Sequence, residues 1–92
     1  MAQPRHTGRS ANGRWEVSKP IEAVHQAVGI RIRSIREALG LSQAELAKRI
    51  GLTRVSLTNI EIGRQRLLLQ GVEAFARALG TTPKNLMKGI WW

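Results

Sequence analysis

The sequence predicts an all-α fold. Three observations carry that reading: apolar residues recur three and four apart beyond residue 20, glycines stand where helices should stop, and N-capping residues precede several of the apolar runs. A chain of 92 residues allows one domain with a modest core, not two.

The elements follow in order. Residues 1–20, MAQPRHTGRSANGRWEVSKP, scatter Gly, Pro, Ser and basic residues with no sustained apolar period, so a disordered basic N-terminal arm is expected. From Ile21 the apolar positions Val24, Val28, Ile32, Ile35 and Leu39 step by four, four, three and four, which predicts a first helix that begins well before Gly29. Gly29 is expected to weaken that helix by about 1 kcal/mol relative to alanine. Ser42-Gln43-Ala44-Glu45 has the S-x-x-E spacing in which Ser42 and Glu45 satisfy each other's unpaired backbone N–H groups. Leu41 and Leu46 flank it as a hydrophobic staple, and Gly51 stands where a left-handed residue ends the helix. Thr53 caps the next helix, Leu52 and Leu57 repeat the staple, and Gly63 closes it.

The fourth helix starts without a capping side chain at Leu67-Leu68-Leu69. Three consecutive leucines cannot share one core stripe, so at least one is exposed or covered by a partner. Leu69, Val72, Phe75, Ala76 and Leu79 are expected in the core, and Gly80 ends the run. Thr82-Pro83 supplies an N-cap followed by proline at the first helical position, predicting a short fifth helix through Lys88.

The third helix, about Arg54 to Ile62, has two unlike faces. Leu57 and Ile60 form its apolar stripe, while Arg54, Val55, Ser56, Thr58 and Asn59 put a mostly polar, donor-rich surface near its N-terminal end. A helical hairpin packed for structure alone would also show the capping pattern. The polar face suits base edges: arginine forks onto guanine O6 and N7, asparagine pairs with adenine N6 and N7, and the methyls of Val or Thr touch thymine.

The segments IRSIREALGLSQAELAKRIGLTRVSLTNIEIGRQR and VEAFARALGTTPKNLM, within about Gly29 to Leu86, resemble the Cro/CI-type helix-turn-helix domain, also called the Xre family. The resemblance implies a compact five-helix bundle of the lambda repressor-like kind. Its third helix would be the recognition helix, entering the major groove, and its second would lie over the phosphate backbone. It also implies roles. Gln43 matches a residue that bonds a phosphate and buttresses the recognition helix, Arg54, Val55 and Asn59 match base readers, and Arg36 and Glu61 match an ion pair between the first and third helices. Thr53, Ser56, Thr58, Arg64 and Arg66 complete the expected DNA-binding set. The chain departs from the family pattern at Leu67-Leu68-Leu69, where a proline and a serine-type cap are common.

Charge is compatible with that reading. Fifteen Lys and Arg against six acidic residues, all Glu, leave a net charge of +9. Residues 1–28 hold four basic and two acidic residues, a net +2, whereas residues 29–92 hold eleven and four, a net +7. The positive field therefore belongs mainly to the folded part, although nucleic acid, acidic lipid and acidic protein all answer to such a surface. Arg64 and Arg66, just past the third helix, are expected at the phosphates. Arg31, Arg33, Lys48 and Arg49 are either more distant phosphate contacts or solvated surface charges. The N-terminal arm would reach along a DNA groove or remain an untethered chain end.

Nothing in the chain assembles a catalytic group. It has no Cys, Asp or Tyr; His6 and His25 lack ligand-spaced neighbours; and Glu61 and Glu73, twelve residues apart, are more simply surface or ion-pair residues than a Mg²⁺ site. No enzymatic activity, cofactor or metal is therefore expected. Zero cysteine is compatible with a reducing cytoplasm, and neither a signal-peptide core nor an apolar run long enough for a membrane span is present.

The expected function is a sequence-specific regulator of transcription that binds double-stranded DNA, a repressor or autoregulator, located in the cytoplasm. The alternative is an antitoxin or protein-interaction adaptor that uses the same scaffold with a partner protein such as a toxin. One recognition helix reads too few bases for genomic selectivity, so a homodimer on half-sites roughly 34 Å apart is expected. The fifth helix with Ile90, Trp91 and Trp92 is the candidate contact, its alternative being a tail folded back onto its own domain. The chain then divides into an arm (1–20), a DNA-binding domain (21–89) and a tail (90–92). No appended effector-binding or self-cleaving domain is expected after Trp92, so signals would act through a partner, dimer assembly or concentration.

Overall fold

The apolar repeat from Ile21 folds as one uninterrupted helix, α1 (Ile21–Ala38), in a computed structural model that describes residues 21–90. Four shorter helices follow: α2 (Gln43–Ile50), α3 (Arg54–Glu61), α4 (Leu69–Ala78) and α5 (Pro83–Met87). Among the described residues there is no strand, and the architecture is the five-helix bundle with a helix-turn-helix. The expected basic arm and Trp91 and Trp92 lie outside the described residues.

α1 packs on α3 and α5, α2 on α3 and α4, and α4 on α5. Their shared interior holds Val28, Ile32, Leu46, Leu57, Phe75 and Leu86. Local capping determines where most of these helices stop and start. Thr82 Oγ1 accepts the Asn85 N–H at 3.1 Å ahead of Pro83, whereas Leu68 begins α4 with no side-chain cap.

Packing alters several expectations drawn from periodicity. Leu39 lies beyond the last turn of α1 and is 53% exposed, so it leaves the stripe that Val28 and Ile32 occupy. Leu69 is 84% exposed rather than part of the core, because at the first position of α4 it stands beyond the packed interior, on the rim of an apolar cavity that Val24 and Val72 also line. Leu68 is exposed too, and only Leu67 of the three leucines packs against the core. Ile90 is 6% exposed and belongs to the core, in keeping with the alternative of a segment folded back onto its own domain.

Gly29 is corrected as well. Here α1 crosses the end of α3 so closely that a Cβ on Gly29 would lie 2.3 Å from the Ile60 carbonyl oxygen and 2.7 Å from that of Glu61. Its missing side chain permits the crossing that seats α3.

Two of the cations expected to be phosphate contacts or solvated charges instead tie helix ends. Arg31 Nη1 donates to the Asn85 carbonyl at 3.1 Å and its Nη2 to that of Lys88 at 3.0 Å, meeting carbonyls at the end of α5. Arg49 Nη1 donates to the Ala78 carbonyl at 3.3 Å, at the end of α4. Arg33 forms an exposed pair with Glu37 at 3.2 Å, while Lys48 is exposed.

Candidate nucleic-acid interface

The α2–turn–α3 unit is built from short-range bonds that the local sequence supplies. Ser42 Oγ accepts the Glu45 N–H at 3.0 Å, and Glu45 Oε1 accepts the Ser42 N–H at 2.8 Å. The Ser42 backbone N–H, then its side chain, hold the Glu45 carboxyl below its ordinary pKa. Gly51 adopts the left-handed conformation at φ 74°, and the next N–H, of Leu52, returns to the Ala47 carbonyl at 2.9 Å. Thr53 Oγ1 then accepts the Ser56 N–H at 3.0 Å and starts α3.

α3 divides sharply between inside and outside. Leu57, Ile60 and Glu61 are buried, Arg54 and Val55 are exposed, and Ser56, Thr58 and Asn59 are half-buried. The exposed face thus presents a guanidinium, a branched apolar tip at 68% exposure and shorter polar groups from one rigid element.

A buried carboxylate anchors the other end of that helix. Arg36 donates from Nε to Glu61 Oε2 at 2.6 Å, from Nη2 to Glu61 Oε1 at 3.0 Å, and from Nη1 to the Leu41 carbonyl at 2.8 Å. The hydrogen bonds to Glu61 raise the Arg36 pKa above its ordinary value, desolvation opposes that rise, and the charges of Glu61 and Glu37 add to it. Gln43 joins the network, its Nε2 donating to Glu61 Oε1 at 3.0 Å and its Oε1 accepting from the Thr58 hydroxyl at 3.1 Å. The Thr58 oxygen also lies 2.9 Å from the Arg54 carbonyl, so its single proton is shared between two acceptors. α1, α2 and α3 therefore meet at one carboxylate.

This geometry sorts the residues singled out in the sequence. Arg36 and Glu61 pair directly. Gln43 and Thr58 face each other across the α2–α3 joint, and Thr53 turns its hydroxyl to its own helix, so all three side chains serve the motif's internal geometry. Arg54 and Val55 face outward, with Ser56 and Asn59 beside them at intermediate exposure. Arg64 and Arg66 are exposed in the loop after α3, where the Asn59 carbonyl accepts the N–H groups of Arg64 at 2.9 Å and Gln65 at 3.2 Å. Sequence reasoning missed His25, whose Nδ1 accepts the Leu67 N–H at 3.3 Å. No local pattern links residues 42 positions apart.

Among the described residues, no group of three His, Cys, Asp or Glu side chains is placed to hold a metal ion. No described helix is long and apolar enough to cross a membrane.

Comparison with known proteins agrees with this architecture. Residues 27–87 match the family model described as "Helix-turn-helix domain". The chain is 47% identical over 49 residues to an uncharacterised HTH-type transcriptional regulator of Methanothermobacter thermautotrophicus, an overlap of 53% of this chain and 71% of that protein. The crystal structure of the restriction-modification controller protein C.AhdI from Aeromonas hydrophila superimposes with a TM-score of 0.64 at 36% identity, covering 66% of this chain and 92% of the other. The solution structure of the DNA-binding domain of the P22 C2 repressor gives a TM-score of 0.65 at 32% identity, covering 71% and 86% respectively.

Proposed function

The chain belongs to the Helix-turn-helix domain family, and from that premise we propose that it is a sequence-specific regulator of transcription that inserts α3 into the major groove of double-stranded DNA. One observation carries the reading: α3 buries Leu57, Ile60 and Glu61 while holding Arg54 and Val55 in solvent at the end nearest the turn. A helix kept only for packing has no need of such a face. The similarity to a controller protein and to the DNA-binding domain of a repressor supports a repressor or autoregulator.

Arg54, Val55, Ser56 and Asn59 then meet base edges, and Arg64 and Arg66 meet phosphates. Gln43, Thr53 and Thr58 set the angle of α3, and the amide hydrogen of Gln43 left over from its bond to Glu61 is offered to a phosphate. The regulator works as a homodimer, since one helix of eight residues reads too few bases to select a genomic site.

Selection of bound sequences from random duplexes, repeated at two salt concentrations, tests the reading. One half-site consensus should emerge. Arg54→Ala should relax preference at one base position by about 1–3 kcal/mol. Arg66→Ala should weaken binding to every duplex alike and lower the salt slope by about 1. Equal loss on all sequences in Arg54→Ala would remove Arg54 from the base readers, and enrichment of no sequence by the wild-type chain would end the proposal.

A further inference from the structure

The loop between α3 and α4, residues 62–68, carries Arg64 and Arg66 and has no regular structure of its own. Its first half is tied to the end of α3 through the Asn59 carbonyl. It also rests on α1 at two points, one in each half. Gly63, left-handed at φ 81°, lies so near Gln26 that a Cβ there would be 2.4 Å from Gln26 Cγ. Four residues on, the Leu67 N–H donates to His25 Nδ1 at 3.3 Å in a half-buried setting. Both residues stand on the wall of an apolar cavity of about 620 Å³, shared with Val24, Val72 and Met87.

We infer that His25 is a positioning residue for DNA binding: by accepting the Leu67 N–H it holds the loop in the shape that presents Arg66, the adjacent residue, to the phosphate backbone. The inference rests on the function proposed above. A loop held in its bound shape avoids an ordering cost on association, whereas a loose one lowers affinity in proportion to the fraction that is competent.

Two variants of the full chain separate positioning from packing. In His25→Asn the amide oxygen can stand where Nδ1 stands, whereas His25→Leu fills space without an acceptor. Affinity for the selected duplex is measured by fluorescence anisotropy at fixed pH and ionic strength, and protection of the Leu67 amide by hydrogen exchange in the free protein. From the usual net worth of one hydrogen bond, His25→Leu should bind about three- to tenfold more weakly than wild type, while His25→Asn should match it. Leu67 protection should drop in His25→Leu and persist in His25→Asn. Wild-type affinity in His25→Leu, the same loss of affinity in both variants, or unchanged Leu67 protection in His25→Leu overturns the assignment while leaving DNA recognition intact. A wild-type chain that favours no duplex brings down both readings, and that outcome is visible before any variant is made.

Discussion

Replacing Arg36 by methionine probes the joint on which the orientation of α3 depends. The substitution roughly conserves side-chain length but removes three hydrogen bonds, two to the Glu61 carboxylate and one to the Leu41 carbonyl. The Glu61 side chain is 1% exposed, and Gln43 Nε2 is the other side-chain donor that reaches it. Stranding one member of a buried ion pair costs about 3–5 kcal/mol, because the remaining charge has lost both water and partner. Small domains have about 5–15 kcal/mol of total stability, so Arg36→Met should remove a large share of it. Urea denaturation followed by helical circular dichroism reads this as a lower midpoint with an unchanged slope. The companion variant Arg36→Met with Glu61→Leu removes the stranded charge and should recover most of the loss. If Arg36→Met costs less than about 1 kcal/mol, or the double variant is as unstable as the sum of its parts, the joint does not work through a buried charge.

Three further outcomes follow from other contacts. Gly29→Ala, which helix propensity alone would favour by about 1 kcal/mol, should instead destabilise the domain by roughly 1–3 kcal/mol, since the added methyl meets backbone of α3; urea denaturation gives the sign. Glu45 titrates below its ordinary value of 4.5 in the folded chain, so its contribution is fully present above that value and is lost as pH falls through the lower folded pKa. Glu45→Gln, with no proton to gain, should therefore show a flatter loss of stability below pH 4.5 in an acid titration followed by circular dichroism. Leu69→Ser should change monomer stability by no more than about 0.5 kcal/mol in thermal melts, because the side chain is largely exposed; a larger loss would place Leu69 in the core.

What the sequence determined by itself is local. Capping at Ser42 and Thr53, the left-handed turn at Gly51 and the Thr82-Pro83 start depend on residues within a few positions of one another, so spacing alone revealed them. The split between the Leu57–Ile60 stripe and the polar face of α3 was legible for the same reason: helical geometry fixes which residues share a side. Tertiary structure decided everything that depends on what lies opposite. Gly29 looks like a weakness until the carbonyls of Ile60 and Glu61 are brought against it. Leu39 and Leu69 satisfy the apolar period yet stand beyond the reach of the core, while Ile90, for which spacing left two readings open, is inside it. Arg31 and Arg49 could be told from solvated cations only once the ends of α5 and α4 were placed beside them. The partnership of His25 with Leu67 belongs to this second class. A hydrogen bond across 42 residues leaves no trace in spacing, because the chain between its ends can take any path that the remaining contacts allow.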